Sequence, residues 1–562
     1  MPLKSIHSFF FSLALLGFCL HPELEARKGA KTPTADYVIV GVGTAGGLLA
    51  KRLTDDRKTS VIALHVGENL TEDPLIKYSK NAGITVIDGL IGPPFYESGV
   101  TVSQSNADDR QLHWALALPE GGASSINAGA YCRGTNQLYC QWQKIAGPSW
   151  SVKRILSIYK KLETYEGETT DPCARGHHGP LNVRQVQDPT DVSLTFTQGI
   201  IDATSFPFVL DYNAPSTPIG VSSQLQYTQK GVNGRLRVSS ATAFLNENVM
   251  TPDGQGVNGR RLRVLFNSTG LRTIWEGNTA IGVEYLNDGE TKQVFARKGV
   301  IVCCGLRSSP FLMYSGVGPQ ALLSSLNIPV VYDNPNVGQG LADQPSLRML
   351  FSANPLDYSP VFDGLFSQIS WLPAPGGNPY SRQIRIATAN PIPGFVLFIM
   401  DLCQPQSRGS VSINSSDPLA APVIDLGVLS ASADLDLFQA GMQVYVNNIN
   451  LAVQAIDPLY QLIYPDPAIL SDNAAVIDFI KANVSSNEHF QSHCRMAPED
   501  QGGVVDSTGH VYGVQNLIVA DDSVVPLCMD GSPMASAYLI AENIAQMLIE
   551  QNNSRRRCLL LR

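Results

Sequence analysis

The chain has 562 residues, with 40 Lys and Arg against 49 Asp and Glu, a formal net charge of −9 and a pI near 5.5. That length exceeds a single typical core and implies two or more domains. A composition of 44% hydrophobic and 16% charged residues excludes a disordered chain, and the acidic balance offers no basic footprint for a nucleic-acid partner.

Lys4 and His7 precede an apolar run from Phe9 to Leu20. The run is too short to span a bilayer and suits the core of a signal peptide, although neither Leu24-Glu25-Ala26 nor Lys28-Gly29-Ala30 carries a small residue at the outer cleavage position. Residues 1–32 therefore read as a leader, with secretion or export as the expectation. Sequons at Asn69, Asn267, Asn414, Asn483 and Asn552 permit glycosylation on such a route.

Next comes an apolar strand, Asp36 to Val40, running into Gly41-Val-Gly43-Thr44-Ala45-Gly46 and then a helix. In a Gly-x-Gly-x-x-Gly turn the first glycine permits the bend and the second admits a pyrophosphate. The third lets helix and strand pack, so that helix N–H groups face the phosphates. Val61–His65 reads as the second strand, closing a βαβ unit. Leu262–Phe266 and Ala280–Leu286 read as a strand pair, and Gly299–Cys304 as a buried strand whose Cys303 and Cys304 are small core residues. Leu372–Pro379 reads as a loop, Leu517–Ala520 as a short buried strand and Ser536–Glu550 as a helix. The stretch from Phe351 to Asn487 looks richer in irregular segments, which suggests a domain inserted into the first. The ten cysteines hold no Cys-x-x-Cys with a second such pair, so no zinc site is expected. Cys132, Cys140 and Cys173 can pair if the protein is exported. The cysteine in the tail lies too far from the end for a prenylation box.

Several segments in order resemble one family. Gly305-Leu306-Arg-Ser-Ser-Pro310 through Ser315-Gly-Val-Gly318 resembles a Gly-x-x-x-Ser-Pro-x-Leu-Leu-x-x-Ser-Gly-Val-Gly signature, with Leu306 where a small residue is usual. Asn336–Asp343 resembles Val-Gly-x-Asn-Leu-x-Asp, with Gly340 replacing asparagine. Gly409-Ser-Val with Asp417–Pro422, and Val511–Pro526 with its Asp521, resemble two C-terminal segments of the same family. Glu120-Gly121-Gly122-Ala-Ser124-Ser-Ile-Asn127 resembles a loop that lies against a flavin ring. The chain is thus similar to the glucose–methanol–choline (GMC) oxidoreductases, flavoproteins that hold FAD. The resemblance spans nearly everything from Ala35 to Gln551.

It implies an α/β fold: a Rossmann-like FAD-binding domain with an inserted α+β substrate domain. The expected division is 33–185, 235–345 and 495–552 for FAD and 186–234 with 346–494 for substrate, leaving 553–562 as a tail. Cofactor contacts are expected from Gly41, Gly43, Thr44, Ala45, Gly46, His65, Gly67, Gly121, Gly122, Ser124, Asn127, Asp521, Pro533 and Met534. His489 stands five residues before Cys494, where the family carries its catalytic histidine, while His493 falls at the wrong spacing. Ser532 occupies the place of the family's second active-site residue, a His or Asn. The resemblance implies alcohol oxidation: His489 takes the hydroxyl proton, hydride passes to flavin N5, and Ser532 hydrogen-bonds the substrate oxygen.

Four departures touch this reading. His65 stands where an acidic residue normally binds the ribose, with Glu68 the nearest carboxylate. Leu118 replaces a basic residue and Glu120 an apolar one. Ser532 cannot act as an imidazole base. Two rivals stay open on these grounds: a catalytically silent structural protein of the same fold, such as a virus-particle component, and a hydroxynitrile-lyase-like enzyme. The expected partners are a small-molecule alcohol and an electron acceptor that the motifs do not name, with a homo-oligomer also open.

Overall fold

A computed structural model describes residues 32–81, 94–216, 219–231, 236–358 and 365–560. The apolar leader lies outside the described residues. In chain order, the elements that frame the molecule are β1 (Thr34–Val40), α1 (Thr44–Thr54), β2 (Val61–Leu64), α2 (Asp191–Thr204), β3 (Gly220–Ser222), β4 (Leu262–Leu265), β5 (Ser268–Glu276), β6 (Thr279–Asn287), β7 (Glu290–Val302) and α3 (Ser308–Tyr314). They continue with β8 (Ser346–Ser352), β9 (Gln368–Leu372), β10 (Ile384–Ile392), β11 (Phe395–Leu402), α4 (Asn447–Ile456), β12 (Leu462–Tyr464), β13 (Leu517–Val519) and α5 (Met534–Leu560).

The first sheet is built on a parallel centre, in the order β4-β2-β1-β7. The outer edge of β7 is shared: its first half pairs antiparallel with β6, and Val300–Val302 pair parallel with β13. The central strands read as near-continuous apolar runs because helices cover the sheet. Val38, Ile39 and Val302 are fully buried, and α1 and α5 pack against one another beside them. Helix α1 buries Leu48, Leu49, Ala50 and Leu53 on its inner side and carries no acidic residue in its first turn.

Here the expected strand pair needs correction. Leu262–Leu265 is a strand, but it pairs with β2 in parallel, Leu262 opposite Val61. Residues 279–287 pair instead with β5 and β7. The polar outer residues of β5 blunt its pattern in the sequence, and a parallel partner about 200 residues away leaves no local signal.

A second sheet, all antiparallel, runs β12-β8-β11-β10-β9-β3. The texture of Phe351–Asn487 is therefore not irregular: strands β9 to β12 lie within it, separated by Pro- and Gly-rich turns that mask them. Likewise Leu372 closes β9 rather than opening a loop. Side chains alternate across this sheet with period two. On β10, Ile384 and Ile386 join Phe196 of α2 and Ile449 and Val453 of α4 in one apolar core. Arg385 and Ala387 face the other way, and Ala387 packs in a cluster with Trp371 and Cys132.

Cys132, Cys140 and Cys173 are free thiols, the first buried and the others exposed. The sequon at Asn552 is closed to modification, since its buried side chain donates to the Tyr37 hydroxyl at 3.0 Å.

Apart from the two large sheets, the chain holds a buried ionic cluster. Glu163 is paired with Arg133 at 2.6 Å and Arg175 at 3.5 Å, and Arg175 also reaches Asp211 at 3.5 Å. Two residues beyond Arg133, Thr135 donates from its backbone N–H and hydroxyl to Asp530. Removing one member strands buried charge. Glu163→Ala is expected to lower the unfolding free energy by about 3–5 kcal/mol, measured by denaturant titration.

Candidate active site

The carboxyl ends of the parallel strands meet at one cleft, as expected for an open α/β sheet whose strand order reverses at its centre. Gly41 follows β1, His65 follows β2, Cys303 to Gly305 follow β7 and Asp521 lies just past β13. All line a cavity of about 610 Å³ that also takes in Arg385, His489 and Ser532. So do Gly43, Thr44, Ala45, Gly122, Asn127, Pro533 and Met534. Gly46, Gly67, Gly121 and Ser124, also expected at the cofactor, stand behind this wall. So does Glu68, which is exposed and does not reach the cleft.

The glycine turn shows why these residues are glycines. A Cβ on Gly46 would lie 1.9 Å from the Gly41 carbonyl oxygen, and one on Gly41, at φ +96°, would lie 2.3 Å from the Cys303 oxygen. Gly43 differs: its Cβ would meet only the Gly122 Cα, at 3.8 Å. Gly41 and Gly46 are thus required by packing, whereas Gly43 keeps space in front of the turn empty. The second loop is laced to the first. Thr44 Oγ1 donates to the Gly121 carbonyl at 3.3 Å and accepts from the Ser124 N–H at 3.2 Å. Ser124 Oγ donates back to Gly121 at 2.7 Å, and a Cβ on Gly67 would strike the Leu118 carbonyl at 2.0 Å. Asn127 is held by Arg237, which donates to its carbonyl at 2.5 Å. Asp521 accepts from the Gly305 N–H at 2.8 Å, from Ser308 at 2.6 Å and from Ser523, binding the ends of β7 and β13 together. Burial outweighs these bonds and raises its pKa.

At the far end of the cleft, one side chain that the sequence reading passed over controls the geometry. The Gln344 amide nitrogen donates to the carbonyls of Cys403 and Met529 at 2.8 Å and Gly531 at 3.3 Å. Its oxygen is therefore the atom turned to His489 Nδ1, at 2.6 Å. An amide oxygen only accepts, so Nδ1 carries the proton and Nε2 keeps its lone pair. The neighbouring Asp343 accepts the His489 N–H at 2.9 Å and the Ser486 hydroxyl at 2.6 Å, fixing the loop that carries the histidine. In that loop Glu488 has a φ of +57°, a left-handed backbone that these bonds hold in place. Burial, followed by the Arg385 charge, lowers the His489 pKa to about 3. His493 is fully buried away from the cleft, with Nδ1 2.8 Å from Ser309 Oγ.

Ser532 follows Asp530 and Gly531. A Cβ on Gly531 would lie 2.4 Å from Cys132 Sγ, so any side chain there would have to displace that buried thiol. Ser532 Oγ accepts from Arg385 Nη1 at 2.5 Å.

Models of the GMC oxidoreductase N- and C-terminal regions match residues 35–346 and 405–541. The chain belongs to the GMC oxidoreductase family. It is 30% identical to an alcohol dehydrogenase [acceptor] of Pseudomonas putida over 92% of this chain and 96% of that one. To a 5-(hydroxymethyl)furfural oxidase of Methylovorus sp. it is 28% identical over 92% and 99%. Its fold matches pyridoxine 4-oxidase from Mesorbium loti with a TM-score of 0.80 at 25% identity, covering 91% of this chain and 99% of that one. Formate oxidase of Aspergillus oryzae RIB40 superposes with a TM-score of 0.81 at 21% identity, over 94% and 100%.

The cofactor of this GMC oxidoreductase is FAD, and the residues present fit it. The space kept clear at Gly43 lies at the amino end of α1, whose unpaired N–H groups favour phosphate. His65 directly follows β2, where a ribose contact is expected; the residue is 3% exposed, and its Nε2 is buried without a hydrogen-bond partner among the described residues. Burial lowers the His65 pKa to about 4, so the ring is neutral. The Leu118 and Pro119 backbones face it, and a carboxylate there would not be welcomed by their carbonyls. Glu120 is less accommodating. It is 1% exposed, neither carboxyl oxygen has a partner, and burial pushes its pKa up to about 8.

Two predictions follow from this wall. Gly43→Val should leave the folded protein intact but unable to retain FAD, whereas Gly46→Val should disrupt folding itself; thermal melting with flavin analysis separates them. Glu120 keeps its proton in the folded state up to about pH 8, while the unfolded chain ionises near 4.5. The folded form therefore loses stability as pH rises across that window. Glu120→Gln should raise the Tm at pH 8, and the gain should vanish towards pH 4.5.

Proposed function

We propose that this protein oxidises the CH–OH group of a small, largely apolar alcohol, with His489 as the base that takes the hydroxyl proton. The observation that carries this reading is the tautomer imposed by Gln344. A neutral imidazole with Nε2 unprotonated, lining the cofactor cleft, is the form a proton acceptor needs. Ser532 supplies a hydroxyl at the same end of the cavity to hold the substrate oxygen. Phe366, Phe490 and Leu419 line the cavity as well and suit an apolar substituent. Bound FAD supplies the hydride acceptor. The named activities of the bacterial relatives, an alcohol dehydrogenase and a hydroxymethylfurfural oxidase, point to the same chemistry.

The site residues divide the work. His489 Nε2 accepts the proton while Gln344 holds the ring and takes part of the charge that appears at Nδ1–H. Asp343 keeps the His489 backbone in place. Phe490, the next residue, lines the same cavity and adds an apolar surface beside the imidazole.

The test is anaerobic mixing of the FAD-loaded protein with a panel of primary and secondary alcohols, followed by flavin bleaching. Wild type should be reduced, and His489→Ala should slow reduction about 100-fold or more with FAD still bound. A flavin that stays oxidised across the panel would overturn the reading, and release of aldehyde and cyanide from cyanohydrins would favour a lyase. The depressed pKa adds a signature. The histidine stays deprotonated down to about pH 3, so the rate should show no acid limb near the ordinary value of 6.5.

A further inference from the structure

The Arg385 guanidinium lies at the reacting end of the cleft, and neither the motifs nor the proposed chemistry has given it a task. It sits on β10, directly opposite Asp401 on β11. Its Nε donates to Asp401 Oδ2 at 2.6 Å, and Nη2 pairs with the same oxygen. Arg385 is 4% exposed and Asp401 1%. Strand register therefore sets the guanidinium, and its remaining edge points to Ser532.

We propose that Arg385 is a positioning residue that makes Ser532 a one-way hydrogen-bond donor to the substrate oxygen. This rests on the alcohol-oxidation reading. A serine hydroxyl has one proton and two lone pairs, so alone it is free to donate or accept. A guanidinium can only donate. At 2.5 Å from Arg385 Nη1, the Ser532 oxygen must accept, and its single proton is left for another acceptor. Among the described residues Ser532 Oγ makes no other hydrogen bond, and it lines the cavity with His489. As His489 removes the hydroxyl proton, negative charge grows on the substrate oxygen. A hydroxyl already polarised by a cation meets that charge better than an isolated serine. The asymmetry explains how serine can stand where relatives of this fold were expected to use His or Asn. The donor comes from the FAD-side loop, and the charge behind it comes from the second sheet.

A purely structural ion pair between β10 and β11 would give the same static picture, so the test must separate the two. Arg385→Lys keeps a cation opposite Asp401 but loses the fork. Arg385→Met combined with Asp401→Leu removes both charges together and strands neither. Each FAD-loaded variant is mixed anaerobically with benzyl alcohol and the rest of the alcohol panel, and titrated with benzoate while the flavin spectrum is followed. The limiting reduction rate should fall about tenfold or more in Arg385→Lys and about 100-fold in the double variant, with a much smaller change in the substrate dissociation constant. Sub-denaturing guanidinium chloride should restore part of the rate to Arg385→Ala, which a merely structural role would not allow. If the double variant does not fold, Arg385→Lys and the rescue carry the test. Wild-type limiting rates in FAD-loaded variants overturn the proposal, as does a loss that guanidinium leaves untouched. If no alcohol reduces the wild type, the oxidation reading falls and benzoate decides the role of Arg385. Benzoate binding weakened about tenfold in the variants supports it, while equal binding, or none to the wild type, overturns it.

Discussion

The reacting end of this protein hangs on one amide. Gln344 donates to three carbonyls on two separate segments, Cys403 at the end of the second sheet and Met529 and Gly531 in the loop before α5, and presents its oxygen to His489. The three acceptors leave the amide no freedom to flip, so the histidine tautomer is decided by carbonyl groups remote from it in sequence. A buried polar network of this kind is favourable only when every member is satisfied. Here it joins His489, the serine loop and the second sheet into a single unit.

The two sheets contribute different kinds of order. The parallel sheet brings the ends of β1, β2, β7 and β13 to a common edge, where Gly41, His65, Cys304 and Asp521 face the same cavity. Backbone geometry dominates there, since Gly46 and Gly41 are glycines because other chain atoms occupy the space of a side chain. The antiparallel sheet works through alternation. Ile384 and Ile386 build its core against α2 and α4, and the intervening Arg385 is thereby turned to the cleft. A register slip of one residue would exchange these faces and remove the cation from the site.

Buried ionisable groups mark the same region. Two histidines, His65 and His489, are held neutral by burial, and Glu120 and Asp521 are pushed towards their protonated forms. A site that excludes water this strongly favours groups whose charge is compensated by design, as with Arg385 and Asp401, and penalises those without a partner, as with Glu120.

Much of the fold was legible in the chain. The Gly41–Gly46 turn, the apolar strand before it and the helix after it are local, and local sterics leave a local pattern. Motif spacing singled out His489 and Ser532, and the fold places both on the cleft wall. The pairing of β4 with β2, the strands hidden between Phe351 and Asn487, and the parts played by Gln344 and Arg385 were not legible. Each depends on contacts between segments far apart in sequence: Arg385 meets Ser532 across 147 positions, and Gln344 meets Gly531 across 187. By itself, then, the sequence determined the dinucleotide turn and the family, and it singled out His489 and Ser532 as candidates for the site. Only the tertiary structure decided which nitrogen of His489 is free and what stands behind Ser532, because hydrogen-bond direction is set by partners that folding alone brings together.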